Sequence, residues 1–333
     1  MEIRFLGRTG LRVTSLCLGT MTFGNQVDKS ISFEILDKAF EAGVNFIDTA
    51  DVYPIGRESH SIVGATESII GEWLQGKRDK MVLATKCFGI MGPGPNDQGL
   101  SRKHIISAAE DSLRRLKTDY LDLYLAHQFD PNTPVDETLR AFEDLVRHGK
   151  VRYIGVSNWR AWQVAKGNGI ADRKNYTRIV CVEPRYNLLF RMIEEDLVPM
   201  ALDEGIGVIS YNPLAAGLLT GRYSKNANIE EGTRFALGNN AGSLYQNRYW
   251  QEATFDAVER YKSWCREHSF DPATTAVRWV TQQPGITSAI IGASRVEQLD
   301  ASLRAAEMGV LTEQELAWLD GLWFSLPRRR EFS

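Results

Sequence analysis

Four polar side chains near the ends of predicted strands are of types that together move protons. One predicted strand ends at an aspartate, a second is followed directly by a lysine, and a third is followed directly by a histidine. A tyrosine lies five residues after the aspartate. Each could be structural by itself, as a cap, a surface ion pair, loop packing or a half-buried histidine. Because the carboxyl ends of parallel barrel strands open on one mouth, the four together predict a single acid–base site. In chain order they are Asp48, Tyr53, Lys86 and His127.

The chemistry of such a group follows from the four side-chain types. A phenol with an unperturbed pKa of about 10 is a poor acid at neutral pH. An ammonium beside it favours the phenolate and lowers that pKa, and a carboxylate keeps the ammonium charged. The tyrosine can then donate a proton to an oxygen that gains charge, while a neutral histidine orients that oxygen. This suits carbonyl reduction or alcohol oxidation, with the hydride supplied by a cofactor.

Composition excludes several other classes of protein. The 333 residues are 43% hydrophobic and 24% charged, and the formal net charge is −3. A dedicated nucleic-acid binder would carry a clear positive excess. With a mean hydropathy of −0.27, the chain has no apolar run near the roughly 18 residues that a membrane helix needs. We expect a small-molecule substrate as partner, neither nucleic acid nor membrane; the sequence does not specify the oligomeric state.

Cysteine and histidine usage argues against a metal or disulfide framework. The four cysteines are scattered with no CxxC pair, which is typical of reduced thiols in a cytosolic protein. The first ten residues lack the pattern of a signal peptide, so we expect a cytoplasmic location. The five histidines form no HxH pattern, and no paired carboxylates accompany them at strand ends. A metal-dependent barrel hydrolase is therefore not supported.

Strand-like and helix-like segments alternate along the chain. Eight short β-branched runs look buried on both faces, as strands of a covered parallel sheet do. The predicted strands are 16–19, 45–48, 81–85, 121–126, 152–156, 179–182, 207–210 and 288–291. The predicted helices are 30–41, 66–75, 102–116, 135–147, 161–166, 194–204, 251–268 and 296–306, with one more from Thr312.

Eight such units predict an α/β fold, a single (β/α)8 TIM barrel over residues 1–333. A doubly wound sheet is the competing architecture, but it would need the GxGxxG phosphate fingerprint, which is absent. Residues 3–5 and 12–14 predict an N-terminal hairpin that covers the barrel's N-terminal end. Long loops are expected at 89–100, after barrel strand three, and at 222–250, after barrel strand seven.

Five motifs, spread in order over essentially the whole chain, resemble the aldo-keto reductase family. The resemblance is greatest to its bacterial-type and channel-subunit-like branches, which share the long loop after strand seven. The motifs are NFIDTADVY (45–53), HQFDPNTP (127–134), GKVRYIGVSN (149–158), YNPLAAGLLTG (211–221) and IGASRVEQL (291–299). The resemblance implies that Asp48, Tyr53, Lys86 and His127 form a catalytic tetrad with Tyr53 as the general acid and base.

The resemblance also implies a nicotinamide cofactor, usually NADPH, bound extended across the barrel mouth. Ser157 and Asn158 would bind its carboxamide, and Tyr211 would stack on its ring. Gly292, Ser294 and Arg295 would hold the adenosine 2′-phosphate, with Ser294 also a candidate helix N-cap. The residues that would contact the ribose, pyrophosphate and adenine are Asn212, Pro213, Leu214, Gly217, Leu218, Gly221 and Gln298, and the cofactor-binding residues also include Gly19, Met21, Glu183 and Ser302. From their placement alone, at the start of the loop after strand seven, Arg222 and Lys225 are expected to clamp the pyrophosphate.

Three positions depart from the family's pattern. Glu183 stands where glutamine is common; a carboxylate there accepts from the carboxamide nitrogen but cannot donate to its oxygen, and it slightly favours the oxidised ring. Ser302 stands where the family often has an asparagine that contacts the adenine, and the serine side chain is shorter. Pro54 follows Tyr53 where glycine is usual, which stiffens the pocket rim and favours an atypical substrate.

Aromatic residues predicted near the mouth of the barrel favour apolar or aryl aldehydes and ketones as substrates. The candidate pocket aromatics are Phe23, Phe88, Phe129, Trp159, Tyr245, Tyr249 and Trp250.

Three functions are compatible with the residues: an NADPH-dependent reductase, a cofactor-bound regulatory subunit with slow turnover, and a sugar or polyol dehydrogenase working in the oxidative direction. The intact tetrad favours the reductase.

Overall fold

A closed barrel of eight parallel strands forms the centre of the computed structural model, which describes residues 1–56, 62–225, 228–238 and 240–327. Two short strands, β1 (Ile3–Phe5) and β2 (Arg12–Thr14), precede the barrel as an antiparallel hairpin. The barrel closes because the last strand pairs with the first, and all neighbours are parallel. The predicted TIM barrel is thus confirmed. Its strands are β3 (Leu16–Gly19), β4 (Phe46–Asp48), β5 (Val82–Cys87), β6 (Leu121–Ala126), β7 (Val151–Ser157), β8 (Ile179–Glu183), β9 (Gly207–Tyr211) and β10 (Ile286–Ile291).

Helices surround the barrel and cover the outer face of its strands. Each strand is thus covered on one side by helices and on the other by the barrel interior. This explains why all six residues of β5 are buried and why the strands show continuous apolar runs. The helices of the described residues are α1 (Lys29–Glu41), α2 (Ala65–Trp73), α3 (Arg102–Leu116), α4 (Val135–Arg147), α5 (Ala161–Lys174), α6 (Leu197–Glu204), α7 (Ala241–Tyr249), α8 (Glu252–Glu267), α9 (Pro272–Gln282), α10 (Gln298–Ala305) and α11 (Glu313–Phe324).

The predicted helices differ from the structure at identifiable positions. Helix α5 continues eight residues beyond its predicted end at 166, through Gly167, whose bare backbone lets Ile179 approach closely. Helix α9 was not predicted because its many threonines and valines have low helix propensity. Its start nevertheless carries a signal, since Asp271 accepts a hydrogen bond from the Thr274 amide and Pro272 is the first helical residue.

The N-terminal hairpin closes the barrel's N-terminal end, as predicted. Leu6 is fully buried and packs into the interior with Val13, Cys17 and Phe46. The Arg8 amide donates to the Gly205 carbonyl, just before β9, at 2.8 Å. The opposite, C-terminal end of the barrel is therefore the open one, and the long loops after β5 and β9 lie there. Among the described residues, none of the helices combines the length and apolarity needed to span a bilayer.

Candidate active site

A large cavity occupies the open end of the barrel. Its volume is about 2260 Å³, well beyond the roughly 300–1,000 Å³ typical of drug-sized ligands, so it has room for a dinucleotide and a substrate together. Residues at the carboxyl ends of six barrel strands contribute to its wall, as expected for a TIM barrel. They are Gly19, Asp48, Ser157, Glu183, Tyr211 and Ile291.

A buried ion pair lies at the base of this cavity. Lys86 is fully buried, and its Nζ donates to Asp48 Oδ1 at 2.6 Å and to the Thr49 carbonyl at 2.9 Å. The pair forms because β4 and β5 are adjacent parallel strands, with Asp48 the last residue of β4 and Lys86 the last but one of β5. A buried ammonium requires such partners, since an unpaired charge in the interior is strongly destabilising.

Tyr53 lies in the loop after β4, beside the ion pair. Its side chain is almost buried yet contributes to the cavity wall. Lys86 Nζ is 5.4 Å from the centroid of its ring, and the ring of His127 is 5.7 Å away in an edge-to-face arrangement. The structure thus brings together all four residues predicted for acid–base chemistry. The bond between Tyr53 and Pro54 is a cis peptide.

Burial dominates the ionisation of Tyr53. It raises the pKa of the phenol, and the nearby Lys86 ammonium offsets only part of that effect. The net lowering of the Tyr53 pKa expected from the sequence is therefore wrong for this structure, although the ammonium acts in the expected direction. Burial would lower the pKa of Lys86, but Asp48 and Glu183 outweigh it and raise that pKa, so the ammonium stays charged. The phenol consequently holds its proton at neutral pH.

His127 is a neutral imidazole in this site. Burial, and secondarily the positive charge of Lys86, lower its pKa to about 3. Its backbone carbonyl accepts a hydrogen bond from Asn158 Nδ2 at 3.0 Å, which connects the end of β6 to the end of β7. An uncharged imidazole facing a tyrosine can hydrogen-bond a substrate oxygen without competing as an acid.

A hydrogen-bonded group joins the ends of β7, β8 and β9. Ser157 Oγ donates to the Glu183 carbonyl at 2.9 Å and accepts from Asn158 Nδ2 at 3.0 Å. The Tyr211 hydroxyl donates to Asn158 Oδ1 at 2.8 Å. Asn158 adopts a φ of 60°, a left-handed conformation that asparagine tolerates better than most residues. These contacts fix the wall where the carboxamide and ring of a nicotinamide are expected.

The other end of the cavity is rich in arginine. Arg295 is exposed on its wall and makes no ion pair within the described part of the chain. Arg234 Nη2 lies 3.5 Å from where a Cβ would be at Gly292, so it borders the backbone after β10. Ser294 donates to Gln298 Oε1 through both its amide and its hydroxyl. The N-cap of α10 is Glu297, so the prediction that Ser294 caps this helix is wrong.

Most predicted cofactor residues line the cavity, but four do not. Leu218 and Ser302 are buried away from the wall, and Gly221 packs against the Lys262 side chain. Lys225 pairs with Glu252 and Asp256 outside the cavity. The residues that do line it are Gly19, Met21, Ser157, Asn158, Glu183, Tyr211, Asn212, Pro213, Leu214, Gly217, Arg222, Gly292, Ser294, Arg295 and Gln298.

The predicted pocket aromatics divide into two groups. Phe88, Phe129, Trp159 and Tyr245 contribute to the cavity wall, and Phe129 packs edge-to-face on Trp159 with ring centroids 5.0 Å apart. Phe23 is fully buried in the core between barrel and helices, so its assignment to the pocket is wrong. Two other aromatics also lie off the cavity wall: the Tyr249 hydroxyl accepts a hydrogen bond from Asn187 Nδ2, and Trp250 packs on Phe235.

Four arginines that line the cavity among the described residues were not identified from the sequence: Arg160, Arg185, Arg234 and Arg248. Arg234 and Arg248 both belong to the loop after β9, and Arg248 lies on α7, a helix that was not predicted. No motif marks either position. The only available signal was the length of the loop, which is typical of a functional segment in a barrel.

Several features of the cavity fit a nicotinamide dinucleotide. Glu183 Oε2 is a buried polar atom with no hydrogen-bond partner among the described residues, in the wall where a carboxamide is expected. At the strand end of Gly19, a Cβ would come within 2.6 Å of Ile290, so only glycine keeps the backbone open there. The unpaired Arg295 at the far end suits a phosphate.

The chain is similar to known proteins over most of its length. The Aldo/keto reductase family model matches residues 15–323. A Bacillus subtilis protein named an uncharacterized oxidoreductase, YrpG, is 42% identical over 93% of this chain and 92% of its own length. A probable voltage-gated potassium channel subunit beta of Oryza sativa subsp. japonica is 36% identical over 99% of both chains. Protein tas of Escherichia coli is 35% identical over 97% of both.

The neutral state of His127 can be tested by NMR. Because burial and Lys86 keep the pKa of His127 near 3, its ring resonances are expected to stay at neutral-imidazole positions from about pH 8 down to about pH 5. A His127→Gln variant assigns the resonances by their loss. A titration midpoint between about 6 and 7 would contradict the assignment.

Proposed function

Because this chain belongs to the aldo/keto reductase family, we propose that it is an NADPH-dependent oxidoreductase that reduces an aldehyde or ketone to the alcohol. The observation that carries the proposal is the buried Lys86–Asp48 ion pair beside Tyr53, which faces the cavity together with a neutral His127. A buried ammonium next to a protonated phenol has no evident structural purpose at this end of the barrel. Such a pair can serve proton transfer, and buried titratable groups in a cavity are typical of catalytic sites.

Tyr53 is the proposed general acid. Its phenol keeps its proton at neutral pH and can transfer it to a carbonyl oxygen as that oxygen gains charge. Lys86 stabilises the phenolate left behind, and Asp48 holds the ammonium in position. His127 orients the carbonyl oxygen by a hydrogen bond. The bound cofactor supplies the hydride, and in the reverse direction Tyr53 takes the proton back.

The proposed cofactor-binding residues divide between the two ends of the cavity. Ser157, Asn158 and Glu183 hold the carboxamide end, and Tyr211 provides the surface for the ring. Arg295 and Ser294 hold the 2′-phosphate, which NADPH has and NADH lacks. Arg222 and Arg234 also line the cavity, and they are the proposed contacts of the pyrophosphate.

The proposed substrate is a small apolar or aryl carbonyl compound. Phe88, Phe129 and Trp159 line the cavity at its mouth, and Phe129 packs on Trp159 as part of one apolar surface. Aromatic walls favour aryl and alkyl groups over strongly hydrated polyols. This composition favours the reductase over a sugar or polyol dehydrogenase.

A nicotinamide-binding regulatory subunit is the second candidate function. It is favoured by the relative from Oryza sativa subsp. japonica, whose name describes a channel subunit beta and which aligns over 99% of both chains. A regulatory subunit would bind the cofactor but turn over slowly. Turnover with a carbonyl substrate therefore separates the two candidates.

The role of Tyr53 is tested by a Tyr53→Phe variant. Loss of a general acid is expected to lower kcat by about 10²- to 10⁴-fold, with the Kd for NADPH changed by less than about twofold. Steady-state kinetics and fluorescence titration measure the two quantities. A Tyr120→Phe variant, which removes a hydroxyl outside the cavity, serves as the control. Unchanged kcat in Tyr53→Phe would remove Tyr53 from the chemistry.

The role of Arg295 is tested by the preference for NADPH over NADH. Arg295→Ala is expected to weaken NADPH binding about tenfold through loss of a charge-assisted hydrogen bond, and to leave NADH binding almost unchanged. Arg304→Ala is the matched control, since Arg304 lies on α10 but off the cavity wall. An equal loss for both cofactors would contradict a 2′-phosphate contact.

A further inference from the structure

Glu183 reaches the catalytic ion pair from the far side of the barrel. It ends β8, which is not adjacent to β5, yet its Oε1 lies 3.4 Å from Lys86 Nζ. Asp48 approaches the same ammonium from β4 at 2.6 Å. Both carboxyl groups are almost fully buried. The site therefore contains two acidic side chains around one buried ammonium.

The two carboxyl groups share a single positive charge. One ammonium neutralises one carboxylate, and a second buried negative charge beside the first is strongly disfavoured. Asp48 has the shorter contact with Lys86 and is the ionised member of the pair. Glu183 lines the cavity, and its Oε2 has no hydrogen-bond partner in the part of the chain that the structure describes. Glu183 is thus the group that holds the extra proton, and burial together with the Asp48 charge raises its pKa well above the usual range.

The other titratable groups around Glu183 do not change their protonation states near neutral pH. Burial raises the pKa values of the Cys17 and Cys181 thiols, on β3 and β8, so both stay neutral. Tyr53 also keeps its proton, His127 is uncharged, and Lys86 remains an ammonium. When the charge at the nicotinamide end changes, Glu183 is consequently the group whose protonation state changes.

We propose that Glu183 couples the redox state of the bound nicotinamide to a proton: Glu183 is protonated in the free site and with reduced cofactor, and it releases its proton when the oxidised, positively charged ring binds. This inference rests on the proposed nicotinamide site. The O–H bond of the carboxyl group breaks, its electron pair stays on oxygen, and the proton passes to solvent. The cofactor itself is unchanged by the step.

The proton alters what Glu183 offers to the cofactor. In its acid form Glu183 can donate one hydrogen bond and accept another, as a glutamine does, so the limitation expected of a carboxylate does not apply to the reduced complex. In its ionised form it attracts the positive ring of the oxidised cofactor. Rising pH therefore strengthens NADP⁺ binding relative to NADPH binding, and falling pH weakens it.

The test measures Kd for NADP⁺ and for NADPH with the whole protein and with Glu183→Gln, from about pH 6.5 to about pH 9. In the unmodified protein, the ratio of Kd for NADP⁺ to Kd for NADPH is expected to fall with rising pH, by up to about tenfold per pH unit. In Glu183→Gln the ratio is expected to be independent of pH. The 2′-phosphate titrates alike in both cofactors and cancels in the ratio.

Glu297→Gln provides the matched control, because it removes an exposed carboxylate next to Arg295. It is expected to change both Kd values together and to leave the pH dependence of their ratio as in the unmodified protein. A pH-independent ratio in the unmodified protein would overturn the inference while leaving nicotinamide binding intact. Failure to bind either cofactor would instead overturn the proposed function.

A second measurement needs no variant and covers the case in which Glu183→Gln does not fold. In weakly buffered solution with a pH-indicator dye, the unmodified protein is expected to release more protons per NADP⁺ bound than per NADPH bound, with a difference of at most one. Equal release for the two cofactors would contradict the inference.

Discussion

The burial of the Lys86 ammonium determines the chemistry of this barrel. An ammonium without water needs a counter-charge, and Asp48 supplies it from the neighbouring strand at 2.6 Å. The same positive charge lowers the pKa of His127 and partly offsets the effect of burial on Tyr53. Burial thus determines the protonation state of both residues that face the cavity, and the charge of Lys86 adds to its effect on His127 and opposes its effect on Tyr53. Burial is essential to this effect, because water would screen the charge.

The barrel architecture provides that burial. The hairpin closes the N-terminal end with Leu6, and helices cover the outer face, so the strand ends at the open mouth are the part of the interior that a ligand reaches. The loop after β9 adds Arg222, Arg234 and Tyr245 to the cavity wall. The strand ends therefore supply the proposed acid–base group, and the long loop adds positively charged side chains to the cavity wall.

The sequence predicted the residues of the acid–base group but not its energetics. Alternating elements locate strand ends, and strand ends locate Asp48, Lys86 and His127, because these features depend on local pattern. The contact between Lys86 and Glu183 depends on the width of the closed barrel, since their strands are not neighbours. The sign of the Tyr53 pKa shift depends on burial by distant segments. Leu218 lay in a cofactor motif, but only its packing shows that it points into the core.

The most direct test of the account is the loss of NADPH absorbance in the presence of an activated aryl aldehyde, repeated with NADH. Rapid loss with NADPH and little with NADH is expected if the four residues act as the proposed acid–base group and Arg295 binds the 2′-phosphate. No loss with either cofactor, despite tight binding of both, would contradict the assignment of this cavity as a carbonyl-reducing site.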